Sequence, residues 1–383
     1  MKVKRGDFLK LGLLALASGV VKGNAFSGET SDKRRNTTGK TPVIHATDLY
    51  HFHCDPDDHW DLATIYALAW LGDIDLLGIL IDYPAKPELG DPEVMGVAQM
   101  NYLTGKVVPV VVGSPFPMNS RNDIQPEANS IDHQGVNWLL NTLRKSELPV
   151  VINIVGAATN VAVALKKEPE LFRKKCKAIY LNAGSANSLK DKKLEYNVKL
   201  NPLAFAAIFD APCPVYWMPC TTRTNIGEVG EFGTYYRFTQ KDILSDLPEK
   251  LQNFFLFMLG KKESHEWFSY LKGKPETDLL AKFGESVRHM WCTAGFIHAA
   301  GKNVTAEGEM VPLKLETESV FTFSPVKASC DDIGYVDWKI DQSSRNRYIF
   351  HVTDTVNYQK AVTVAMKNLL LQIHSGASIF RNQ

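Results

Sequence analysis

The chain has 383 residues, 45% hydrophobic and 22% charged, which is the balance of a soluble globular protein with ample material for a core and excludes a disordered or fibrous chain. Lys plus Arg total 43 against 42 Asp plus Glu, so there is no basic field to hold nucleic acid by its phosphates, and no nucleic-acid partner is expected.

At the amino terminus Lys2, Lys4 and Arg5 precede the apolar run Leu11 to Val21, and Gly23-Asn24-Ala25 stands ahead of Phe26. These are the three zones of a secretory signal, so residues 1–25 are read as a signal peptide and the mature protein as periplasmic or secreted. The apolar run is about half of the roughly 20 residues that a membrane-crossing helix needs, so no permanent membrane span is expected. Arg5-Gly6-Asp7-Phe8-Leu9-Lys10 resembles a twin-arginine export signal with Gly6 in place of the second arginine, which leaves the export route open. Residues 26–41 are small, polar and charged, as in a linker, and 42–375 read as a single domain.

Within that domain short apolar runs alternate with amphipathic segments. Strands are expected at 43–48, 76–82, 107–112, 149–155, 177–183 and 213–218, with helices at 58–71, 91–104, 134–145, 158–167 and 202–209. This alternation predicts an α/β fold: a doubly wound, mostly parallel sheet with helices on both faces. The nearly continuous apolar runs 107–113 and 149–155 are expected to be its central strands. Beyond about residue 235 the pattern turns helical, with 248–272 and a second apolar helix at 285–300. Small strands at 311–324 and 346–353 and a closing helix at 358–373 complete the carboxy-terminal part. The six cysteines are widely spaced and form no C-x-x-C pair, so buried thiols are expected rather than a zinc site.

Chemistry concentrates at the join between the first strand and the first helix. From Thr47 to Asp61 lie five carboxylates, Asp48, Asp55, Asp57, Asp58 and Asp61, interleaved with His51, His53 and His59. Asp57 and Asp58 fall where Asp commonly caps a helix, but capping gives no account of Asp48, which ends a buried strand. A hard divalent cation with oxygen ligands would neutralise several of these groups, and the histidines admit a transition metal as the lesser reading. A second motif, Gly156-Ala157-Ala158-Thr159-Asn160-Val161-Ala162, follows a buried strand; Asn160 is placed to cap its helix or reach a ligand. A third, Glu195-Tyr196-Asn197, lies downstream of the strand end Asn182-Ala183-Gly184; in extended backbone Glu195 and Asn197 would face the same way and could grip adjacent hydroxyls.

Together these motifs resemble the nucleoside hydrolase family, over roughly residues 42 to 370. The family's G-x-x-T-N-x-A signature is met by Gly156, Thr159, Asn160 and Ala162, and its E-F-N and D-P-x-A signatures by Glu195-Tyr196-Asn197 and Asn201-Pro202-Leu203-Ala204. The resemblance implies Ca2+ held by Asp48 and Asp58 with the Val155 carbonyl, Asp57 as general base toward water, and Glu195, Asn197 and Asn160 on ribose hydroxyls. His289 could protonate, and Trp291 stack on, a leaving group, against the reading of His289 as a packed residue of an apolar helix, and Arg288 nearby could bind an anionic substrate.

Three departures accompany the resemblance. Eight residues separate Asp48 from Asp57, more than in the family's loop, which brings Asp55 and Asp61 forward as alternative cation ligands. The family's Gly-Asn after the second strand is replaced near Tyr83-Pro84-Ala85, with Asp82 close by as a substrate contact. The family's late His-Asp pair aligns with His289-Met290, and a thioether is a poor ligand for calcium. The expected function is therefore calcium-dependent hydrolysis of a nucleoside or related N-glycoside, acting on a small molecule, with assembly into a homo-oligomer allowed. A hydrolase of another glycoside and a non-catalytic sugar- or nucleoside-binding protein are the alternatives.

Overall fold

The structure is a computed structural model, and it describes residues 40–51, 56–84, 86, 90–186, 194–221, 228–262, 265–314 and 318–373. The expected signal peptide, nearly all of the linker, and Asp55 lie outside the described residues. The described residues fall in one compact unit.

The first half alternates strand and helix. β1 (Thr41–Thr47), α1 (Asp57–Leu71), β2 (Ile74–Ile81), α2 (Val94–Thr104), β3 (Val110–Val112), α3 (Gln134–Lys145) and β4 (Val150–Ile154) come first. They are followed by α4 (Thr159–Lys167), α5 (Pro169–Lys175), β5 (Cys176–Asn182), α6 (Tyr196–Leu200), α7 (Pro202–Ile208) and β6 (Val215–Met218). The second half runs β7 (Tyr236–Thr239), α8 (Lys241–Leu244), α9 (Glu249–Leu259), α10 (Trp267–Lys272), α11 (Thr277–Gly284), β8 (Val287–Met290) and α12 (Thr293–Ala299). It closes with β9 (Lys302–Val304), β10 (Met310–Pro312), β11 (Phe321–Cys330), β12 (Val336–Ile340), β13 (Arg347–Val352) and α13 (Tyr358–Leu371).

The main sheet has the order β12-β11-β13-β6-β5-β4-β1-β2-β3. All pairings from β13 across to β3 are parallel, and β11 runs antiparallel to both β13 and β12. Two faces are buried, as a doubly wound sheet requires. Along β1 the alternation sends Val43 into a cluster with residues of α1, α9, α12 and α13, and Ile44 and Ala46 into a second cluster with α3, α4 and α7. The chain winds outward from β1 to β3 on one side and from β4 to β6 on the other. The connections therefore diverge between the carboxyl ends of β1 and β4, which is where an open α/β sheet leaves a ligand crevice.

Several expectations are corrected. The run 107–113 is not central: β3 is the edge strand of the sheet, only Val110–Val112 pair with β2, and Val107 is 90% exposed. Helices covering an edge strand make it as apolar as a central one, so the run of valines did not separate the two cases. The apolar stretch 285–300 is a strand followed by a helix, β8 and α12, and His289 lies on β8, paired with Arg237 of β7, rather than on a helix. Residues 248–272 are two helices broken near Gly260, and Asn197 belongs to the short helix α6 rather than to extended backbone.

Candidate active site

Four strand ends and one helix start build the crevice. At the end of β1, Thr47 donates its hydroxyl hydrogen to Asp58 Oδ1 at 2.7 Å, fixing the first turn of α1 against the strand. Pro56 is the N-cap residue of α1 and makes no side-chain cap, so Asp57 and Asp58 meet the positive end of the helix from its first turn. Asp57 is half-buried, while Asp48, Asp58 and Asp61 are buried.

Asp48 follows β1, Asp82 follows β2 and Gly156 follows β4. A Cβ built on Gly156 would lie 2.7 Å from Asp48 Oδ1 and 2.7 Å from Asp82 Oδ2, so the two carboxylates face one small space that a side chain at 156 would fill. Asp82 is 2% exposed, and its Oδ2 has no hydrogen-bond partner. Its Oδ1 accepts from Asn160 Nδ2 at 2.9 Å, and Asn160 Oδ1 accepts from the Ser114 backbone N–H at 2.7 Å. Gly113 leaves room for this bridge, since any side chain there would overlap the Asn160 amide. Burial and the charge of Asp48 push the Asp82 carboxyl well above the usual carboxylate range, opposed by Asn160 and the Ala157 N–H. Burying an ion costs several kcal/mol. One hydrogen bond to a charged group returns roughly 1.5–3 kcal/mol. Asp82 therefore needs either a proton or a cation.

The donors at this point are all oxygens, as a hard cation requires. Among the described residues no three His, Cys, Asp or Glu side chains close around one point as a metal cluster; the carboxylates meet as the pair Asp48 and Asp82. That pair, the unpartnered Asp82 Oδ2 and the gap above Gly156 fit a divalent ion whose remaining ligands are carbonyls or water. Tyr50, 2% exposed, lies over the same charges: burial raises its hydroxyl pKa, and Asp82, Asp48, Tyr196 and Asp58 raise it further.

The third motif frames the crevice floor. Asn197 Nδ2 donates to the Val155 carbonyl at 3.0 Å and to the Asn182 carbonyl at 3.1 Å, tying the ends of β4 and β5 together. Glu195 is the N-cap of α6. Its Oε1 accepts from the Asn197 N–H at 3.0 Å, and its Oε2 accepts from Gly184 N–H at 2.8 Å and Val198 N–H at 3.3 Å. Asn160 does not cap α4, because it is engaged with Asp82 and Ser114.

β8 completes the wall. His289 Nδ1 lies 2.7 Å from the Tyr235 hydroxyl, and Trp291 packs on Tyr235 with ring centroids 5.7 Å apart. Burial, helped by Arg288 and Arg237, lowers the His289 pKa, so the imidazole is neutral near pH 7. Met290, between them, is fully buried in the apolar cluster and offers no oxygen. Cys292 Sγ donates to Asn182 Oδ1 at 3.0 Å, and its thiol pKa is raised by burial and by Asp61 and Asp57, which joins this wall to the start of α1.

The structure thus gathers Asp48, Asp82, Val155, Asn160, Glu195 and Asn197 around the ends of β1, β2, β4 and β5, with Asp57 and Asp58 on the helix above. His289 and Trp291 form a neighbouring group with Tyr235. Sequence reasoning passed over Tyr50, Thr47, Asn182 and Tyr235. Only Asn182 carried a signal, as the last polar residue of a buried strand. The five described cysteines are buried thiols.

The fold and this acidic crevice define a doubly wound α/β protein with its site at the switch point of the sheet. A family model described as inosine-uridine preferring nucleoside hydrolase matches residues 51–320, and the chain belongs to that family. The pyrimidine-specific ribonucleoside hydrolase RihA of Citrobacter koseri is 26% identical over 181 residues, 43% of this chain and 57% of the relative. RihA of Salmonella paratyphi B is 32% identical over 92 residues, 24% of this chain and 30% of the relative. The matched stretches thus span less than two thirds of these relatives. Among solved structures, a purine-preferring ribonucleoside hydrolase from Gardnerella vaginalis superposes with a TM-score of 0.54, and a plant nucleoside hydrolase with 0.51. Each is 15% identical and covers 86% of this chain and 99% of its own, a likeness of fold. No helix among the described residues is long and apolar enough to cross a membrane.

Proposed function

We propose that the chain is an exported, calcium-dependent N-ribohydrolase that cleaves the N-glycosidic bond of a nucleoside or a closely related N-glycoside. The observation that carries the reading is the convergence of Asp48 and Asp82 on the space above Gly156 in a chain of this family. Asp48 and Asp82 would hold a hard divalent cation there, which would lower the pKa of a nearby water. Asp57, half-buried in the first turn of α1, would accept the proton of an attacking water. Asn160 and Asn197 keep the floor rigid by bridging Asp82 to Ser114 and β4 to β5. In this reading His289, as a neutral imidazole, would hydrogen-bond the departing base and Trp291 would stack against it, while Glu195 and Asn197 would flank the sugar. Water attack at the sugar's anomeric carbon with departure of the base parallels inverting hydrolysis of O-glycosides.

The test is a panel of purine and pyrimidine nucleosides and aryl glycosides, assayed with calcium and with a chelator. Turnover of a nucleoside that needs calcium and is lost in Asp57→Asn supports the proposal. Turnover of aryl glycosides alone would reassign the substrate. Binding of nucleosides without turnover would favour a non-catalytic binding protein, the reading that the buried Met290 favours.

A further inference from the structure

Three features meet at the end of β2. Asp82 is nine-tenths buried or more, and Oδ2 is unpartnered. Oδ1 is held by Asn160, which is itself held by the Ser114 N–H, so the carboxylate cannot turn away. The unpartnered oxygen and Asp48 Oδ1 each stand 2.7 Å from the point where a side chain on Gly156 would begin.

A substrate contact would need different properties. A carboxylate that grips a sugar hydroxyl has to present an oxygen to the open crevice and keep its charge when the crevice is empty. Asp82 is instead closed in below Tyr50 and faces another carboxylate across a gap of atomic size. Two like charges arranged so are stable only with a positive charge between them or a proton on one.

We infer that Asp82 is a direct ligand of a hard divalent cation, paired with Asp48 across Gly156, and not a contact to the sugar. This rests on the cation-dependent reading above and adds to it the identity of the second carboxylate. Asn160 thereby becomes a positioning residue that aims Asp82.

The experiment uses the chain from residue 26, stripped with a chelator. Calcium binding is followed by calorimetry and by the calcium-dependent rise in melting temperature, and terbium binding by luminescence sensitised through the aromatic residues around Tyr50. The variants are Asp82→Asn, which keeps shape and removes charge, and Gly156→Ala, which fills the gap while leaving both carboxylates. The expected result is a loss of calcium and terbium affinity of at least about tenfold in Asp82→Asn, because affinity follows the ligands' charge. Without the ion, Asp82→Asn should melt at or above the parent temperature, since a repulsion has been removed. Gly156→Ala should lose binding as well, and serves as the second route if Asp82→Asn folds poorly. Unchanged ion affinity in Asp82→Asn, with KM for a nucleoside raised instead, would overturn the inference and leave the proposed function standing. A parent protein that turns over nucleosides but binds neither ion would overturn the inference together with the calcium dependence.

Discussion

Asn160 hands its amide hydrogen to Asp82 Oδ1 at 2.9 Å while its own oxygen takes the Ser114 N–H at 2.7 Å, so one side chain from α4 locks the ends of β2 and β3. Asn160→Ala leaves the buried Asp82 carboxylate with the Ala157 N–H as its remaining donor and the Ser114 N–H without its acceptor. A loss of about 1.5–3 kcal/mol in unfolding free energy is expected in chelator. Urea denaturation measures it, and kcat/KM should fall alongside.

His45 and Asn153 are register partners on β1 and β4, so their side chains share one face of the sheet, and none of their side-chain nitrogens or oxygens has a partner. Burial lowers the His45 pKa from 6.5 to about 3 and that of His298 to about 4. Both rings are neutral in the folded protein and take up protons once unfolded. Their stabilisation is therefore full above pH 6.5 and is lost as pH falls toward 4 and 3. At pH 5 each should cost about 2 kcal/mol relative to pH 8. Equilibrium unfolding against pH reads this, and His45→Phe should flatten the slope. Ordered water bridging His45 to Asn153 is expected in a high-resolution crystal structure; a dry contact there would contradict it.

His289 is neutral near pH 7 and bonded at Nδ1 to Tyr235, so it can donate through only one further nitrogen. His289→Phe should slow hydrolysis of natural nucleosides by about tenfold, the worth of one hydrogen bond of about 1.5 kcal/mol to the charge that develops on the departing base. A 4-nitrophenyl riboside, whose leaving group needs no proton, should lose far less. Equal losses on both substrates would assign His289 a packing role.

Met290 is fully buried among Tyr236, Phe238 and the residues of α12 and α13. Met290→Ala should cost about 2–5 kcal/mol through the cavity it leaves. Calcium affinity should not change, which calorimetry on the same samples would establish.

The first half of the fold was legible because buried strands and amphipathic helices have distinct periods, and α3 falls at its expected limits. Strand β8 was not, because Val287–Met290 lies in an apolar stretch that continues into α12, and length alone decided for a helix. Asp48, Asp57, Asp58 and Gly156 were legible as a strand end, a helix start and a sharp turn. The partnership of Asp48 with Asp82 was not, since it depends on which strands are neighbours, and that follows from the order of the sheet. For the same reason Asn160 reads as a cap in sequence and proves to be a clamp in space.

Asp48, Asp82 and Gly156 belong to three strands that are contiguous in the sheet and far apart along the chain. An ion held among them would act as a removable rivet through the middle of the molecule, pulling the unfolding equilibrium in proportion to its concentration. A protein built so would be sturdier in calcium-rich surroundings than in calcium-poor ones, and its resistance to proteases would report the mineral content of the medium in which it works.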